Sequence, residues 1–159
     1  ILRRKTIKVY PYAKLAAERL SELNDSLTNI KKKRKRKKYT KEVQKYIQGE
    51  FSDELKKLTR TEGQILIKLI YRQTGKTTFV LVKELRSGLL AFWYSTTAKM
   101  FKISLKEEYN PNVVQEDYMI EDILQRAFAS SRLERQKSAL EFDYMELENK
   151  WGSAKKGGK

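Results

Sequence analysis

The sequence contains no cysteine and no histidine. The first absence removes disulfides, thiolate nucleophiles and the soft metal sites built on sulfur and imidazole. The second removes the side chain best suited to proton transfer near neutral pH. A lack of cysteine fits reducing and oxidising compartments alike, so it does not locate the protein. Proline is scarce too, two residues in 159, and leaves long stretches uninterrupted. Long apolar runs are missing. The longest uncharged stretch, SGLLAFWYSTTA, has twelve residues, about 18 Å as a helix against roughly 30 Å of bilayer hydrocarbon. No transmembrane span is expected. The chain opens ILRRKTIKVY without a methionine, which fits a preceding segment such as a removed signal peptide.

What the sequence does hold is positive charge. The formal net charge is +15, and its distribution is lopsided. Up to Arg60 there are 19 basic residues against 7 acidic ones; the remainder carries 16 against 13. An electrostatic partner meets the first third of the chain first. The source of this imbalance is KKKRKRKK, which is Lys31, Lys32, Lys33, Arg34, Lys35, Arg36, Lys37 and Lys38.

The apolar pattern is helical. Ala13, Ala16, Leu20, Leu23, Leu27 and Ile30 recur in steps of three and four, one face of a helix. Pro11 fits its first turn, with KVYPY entering as an extended or kinked segment. Thr40 is a candidate cap for a second helix carrying Val43, Ile47, Leu55 and Leu58. Thr61 and Gln64 have capping-box spacing ahead of Ile65, Leu66, Leu69 and Ile70, and Gly75 is placed to stop that helix. Thr77 or Thr78 begins another, with the seam Val82, Leu85, Leu89, Phe92 and Thr96. YNPN at 109–112 reads as a turn. Glu116 and Asp117 favour a following helix start, with Ile120, Ile123, Leu124, Ala127 and Phe128 as its apolar side. A last, weaker helix is expected after Ser138. No two-residue alternation and no hairpin dipeptide is present. The expected fold is all-α: one domain of five or six helices over residues 1–151, with a flexible tail at 152–159.

Eight adjacent cations repel one another at every helical i,i+3 and i,i+4 pair, so 31–38 is expected as an open, solvated connector. As a connector it would simply keep the surface soluble. As a site it would contact nucleic-acid phosphates through counterion release, or an anionic lipid surface at about 1 kcal/mol per basic residue; any short basic block also has the form of a localisation signal. No aromatic residue interrupts the run to stack a base.

A second candidate is the aromatic stretch. Phe92, Trp93 and Tyr94 are successive and so point about 100° apart on a helix. This fits a central helix covered by two neighbours. It also fits a cleft in which Arg72, Lys83, Arg86, Trp93 and Tyr94 hold an anionic or sugar-like ligand, the guanidinium supplying a fork and the rings a platform.

Catalytic signals are sparse. The acid pairs Glu107/Glu108, Glu116/Asp117 and Glu121/Asp122 are adjacent, so on a helix each pair diverges. TGKT at 74–77 echoes the end of a phosphate-binding loop without its preceding glycine or strand. No cofactor and no metal site is expected, and the reading is of a protein that works by binding.

The motifs KVYPYAKLAAERL, ELKKLTRTEGQILIKLIYRQTG, LVKELRSGLLAFWY, SLKEEYNP and YMIEDILQRAF together resemble a helical domain-of-unknown-function family of Bacteroidota, from Lys8 to about Trp151. The resemblance implies a bacterial source, a single helical domain, and export to the envelope behind a signal ahead of the YPYAK motif. It carries over no activity and no site residue. Export turns the expected partner toward an anionic envelope surface or another envelope protein. A cytoplasmic protein binding nucleic acid through 31–38 is the alternative.

Overall fold

A computed structural model describes residues 1–84 and 104–156. These residues form six helices and no strand: α1 (Leu2–Asn29), α2 (Lys33–Lys56), α3 (Arg60–Thr74), α4 (Thr78–Glu84), α5 (Gln115–Ala129) and α6 (Tyr144–Lys156). The protein is all-α, as the periodicity predicts. Most of the expected Val82 to Thr96 seam lies outside the described residues.

α1 begins nine residues ahead of Pro11 and runs through it. The seam explains why. Thr6, Val9, Tyr10 and Ala13 are all buried, and their steps of three, one and three keep one face inward before the proline as well as after it. Pro11 itself is exposed, so the carbonyl it deprives of a donor sits on the water side. Further along, Ala17 rather than Ala16 is fully buried, between Ala13 and Leu20.

α2 folds back on α1. Tyr12 Oη donates to Glu54 near the end of α2 at 3.2 Å, which makes the pair an antiparallel hairpin. Only residues 30–32 link the two helices, with Ile30 extended. The basic connector is therefore shorter than expected: Lys31 and Lys32 are linking residues, and Lys33 to Lys38 form the first turns of α2. Lysine and arginine are good helix formers, each like-charge pair costs only about 0.2–0.5 kcal/mol, and extending a nucleated helix is cheap. Thr40 does not cap. It lies inside α2, its hydroxyl bonded to the Arg36 carbonyl at 2.8 Å.

α3 lies chiefly against α1 and fills the core with Ile65, Leu66, Ile67, Leu69 and Ile70. Its capping box is Thr59 with Glu62, two residues ahead of the expected Thr61 with Gln64. Thr59 Oγ1 accepts from the Glu62 N–H at 3.3 Å and Glu62 Oε2 accepts from the Thr59 N–H at 2.9 Å. Lys8 of α1 decides between the two, binding both Glu62 oxygens at 3.1 and 3.0 Å. Gly75 ends α3 with φ 72°, a left-handed conformation natural to glycine.

α5 packs on α1 through an edge-on contact of Phe128 with Tyr10, centroids 5.3 Å apart. A strap then crosses the end of α3. Ala139 N–H and Ser138 Oγ both donate to the Arg72 carbonyl at 3.0 Å. Gln136 reaches Gln73 at 2.7 Å and Glu18 at 3.1 Å. Asp143, not Ser138, opens the last helix, accepting from Met145 N–H at 2.8 Å. α6 lays Trp151 over Tyr118, centroids 6.1 Å apart, with its indole N–H on the Pro111 carbonyl at 2.9 Å. It continues through 152–156, five residues that composition assigned to the tail.

Candidate functional site

The eight basic residues 31–38 sit at the turn of the α1/α2 hairpin, and every one is exposed. Six lie in helix, where steps of 100° spread Lys33, Arg34, Lys35 and Arg36 around the full circumference. Tyr39 and Thr40 immediately after them are partly buried, and Tyr39 packs on the core cluster. The run is thus anchored at one end and bare along its length. No carboxylate among the described residues forms an ion pair with any of the eight.

The helix start has a second feature. Lys32 occupies the cap position without a side-chain hydrogen bond, and the first turn holds no acid. The Arg36 N–H bonds to the Lys32 carbonyl at 3.0 Å, which leaves the N–H groups of Lys33, Arg34 and Lys35 without helical acceptors. The positive end of a helix dipole prefers anions, by about 0.3–1 kcal/mol each at an exposed position. Here it is surrounded by cations. Five i,i+3 and i,i+4 like-charge pairs among residues 33–38 add a cost on the order of 1–2 kcal/mol. The arrangement is strained electrostatically, and a polyanion would relieve both terms together.

Of the second candidate's residues, Arg72 alone has a described side chain. Arg72 points into the core: its side chain is 2% exposed, and Nε and Nη2 donate to the two oxygens of Glu121 at 2.8 and 2.9 Å. Phe128 and Phe142 flank the guanidinium, each centroid 5.9 Å away. Burial opposes the charge of Arg72, and the bond to Glu121 outweighs it and raises the affinity for the proton. Lys83 lies on α4. Arg86, Trp93 and Tyr94 lie outside the described residues.

Around Arg72 a buried polar network closes. Glu121 also accepts from Tyr109 Oη at 2.8 Å and Gln125 Nε2 at 2.7 Å. One helical turn earlier, Asp117 accepts from Lys68 at 2.6 Å and from the Asn110 N–H at 2.8 Å. These two rungs, at 68/117 and 72/121, join α3 to α5 side by side in parallel. Burial and the neighbouring Glu121 carboxylate raise the Tyr109 phenol well above its usual value. Both carboxylates find enough donors, so the network reads as a structural clamp. A sequence signal for it existed: Arg72 stands in register with Ile65 and Leu69, and Glu121 with Leu124 and Phe128, so each apolar seam carries one charge of opposite sign.

Among the described residues no group of three or more Asp and Glu could hold a metal ion, and no helix is long and apolar enough to cross a membrane.

No curated protein matches the chain. No solved structure matches it. Over residues 1–126, from the start of α1 nearly to the end of α5, the sequence matches the family described as Domain of unknown function (DUF4294), and the chain belongs to that family.

Proposed function

We propose that this is a non-enzymatic binding protein of the bacterial cell envelope, whose cationic helix start at 31–38 contacts an anionic surface or an anionic patch on another envelope protein. One observation carries the reading. α2 begins inside a run of cations with neither cap nor acid, although either would have stabilised it. A solvated linker gains solubility from its charge but nothing from carrying it uncapped into a helix start, whereas an anion-binding surface gains affinity from every uncompensated charge. What supports the envelope part of the reading is the resemblance to exported Bacteroidota proteins carrying YPYAK, a motif that here lies within α1 at 10–14 with Tyr10 and Ala13 buried.

A second reading has its own support. Cations around the whole circumference of α2 would reach phosphates on two sides at once, as a helix in a major groove does. Localisation separates the two. The full-length gene is expressed in its native host, and protease is added after the outer membrane is permeabilised. Digestion supports the envelope reading. Protection together with cytosolic markers removes it and makes nucleic acid the leading partner.

A further inference from the structure

The hairpin has a second cationic end. Arg3 and Arg4 stand exposed in the first turn of α1, with partly buried Lys5 beside them. Lys56 closes α2 and Arg60 opens α3, both exposed. The Lys8 bonds to Glu62, the Tyr12 bond to Glu54, and the pull of Lys5 on the Glu62 carboxyl bring the three helix ends together. Lys8 and Lys57 are taken by Glu62 at 3.0 Å and Glu54 at 3.8 Å. Arg3, Arg4, Lys56 and Arg60 form no ion pair among the described residues.

Between the ends of α1 the charge is compensated. Lys14 lies 3.4 Å from both Glu18 and Glu134, and Arg19 lies 3.0 Å from Glu22. Asp25 is exposed besides. Along α1 the unpaired positive charge therefore lies toward its two ends, and at the second pole Arg3, Arg4, Lys56 and Arg60 outnumber the exposed Asp53. From Arg4 to Asn29 is about 38 Å along α1, and from Lys33 to Lys56 about 35 Å along α2. Both exceed the roughly 8–10 Å screening length, so each pole acts on its own anion.

We infer that the hairpin is a two-ended adaptor, which rests on the anion-binding reading of 31–38 and extends it: each pole adsorbs to an anionic phospholipid surface, and one molecule bridges two bilayers. A linear polyanion laid along α1 would cross the exposed Asp25 and be repelled there. A single surface met end-on by the hairpin engages one pole and leaves the other unused. Two facing surfaces satisfy both.

The test uses the whole protein with vesicles of phosphatidylglycerol mixed with phosphatidylcholine. Sedimentation reads binding, and dynamic light scattering reads clustering. The wild type is expected to sediment with the vesicles and to raise their mean diameter severalfold. A variant with Arg3→Gln, Arg4→Gln, Lys56→Gln and Arg60→Gln is expected to keep its fold by circular dichroism, to sediment, and to lose clustering. Clustering at the wild-type level by that variant overturns the inference. Binding without clustering by the wild type overturns it as well, while the anion-binding reading stands. Failure of the wild type to sediment overturns the inference and the lipid-surface form of the anion-binding reading, leaving an anionic protein patch as the partner of 31–38.

Discussion

Arg72 of α3 and Glu121 of α5 meet as a two-pronged ion pair, 2.8 and 2.9 Å, with side chains 2% and 0% exposed. Each is costly to bury alone. Together with Tyr109 and Gln125 they leave the carboxylate saturated with donors, so the pair fixes how α5 lies on α3.

Removing one partner strands the other charge in the core. Glu121→Ala and Arg72→Ala are each expected to cost about 3–5 kcal/mol, read as a fall in the urea midpoint. The double change Arg72→Ala with Glu121→Ala should cost less than the two single changes combined, because no charge is left unpaired. Strict additivity would show that the two side chains do not depend on each other.

Tyr109 sets an alkaline limit. Its phenol is raised by burial and by Glu121, while in the unfolded chain it ionises near 10. Its contribution is complete below that pH and is lost as pH rises toward the folded value. Stability should therefore fall above about pH 10. Tyr109→Phe should be weaker at neutral pH by about 1–2 kcal/mol and flatter in the alkaline range, as followed by thermal melts across pH.

The start of α3 offers a paired comparison. Thr59→Ala removes the observed cap and should cost about 1 kcal/mol, whereas Thr61→Ala, at an exposed position, should be near neutral. Burial raises the Glu62 carboxyl, but the Thr59 N–H and Lys8 outweigh it and hold the group below its usual 4.5. That contribution is present above the usual value and is lost as pH falls through the folded one. The stability gap between wild type and Glu62→Gln should then close under acid, as urea midpoints at successive pH values would record.

These contrasts mark where sequence was legible. Helices bounded by their own chemistry read well: Gly75 stops α3, Asn110 opens the turn before α5, and the α5 seam is buried at Ile120, Leu124, Ala127 and Phe128. Features decided by a distant partner did not. LTRTEGQ holds two overlapping caps, and Lys8, 54 residues from Glu62, selects one. Arg72 looked available for a cleft because Glu121 lies 49 residues on. The eight cations are legible as a charge, but the helix formed by six of them is not, because local repulsion alone predicts an open connector while helix propensity and cooperativity oppose it.

The strain at the start of α2 makes stability and binding move in opposite directions. Changing Lys33, Arg34, Arg36 and Lys37 to glutamine removes like-charge pairs and dipole repulsion. The variant should be more stable than wild type by about 1–2 kcal/mol in low salt, and the gain should shrink as salt screens the repulsion. Thermal melts at low and high ionic strength check this. A loss of stability at low salt would mean that the cations are compensated within the fold.

The most direct measurement is binding of the wild type and that four-residue variant to phosphatidylglycerol-containing vesicles across a salt series. At about 1 kcal/mol per basic residue near the surface, the variant should bind about a thousandfold more weakly at low salt. Wild-type binding should itself fall steeply with salt. Equal affinity for both proteins, or wild-type binding indifferent to salt, would contradict the assignment of 31–38 as the anion-contacting surface.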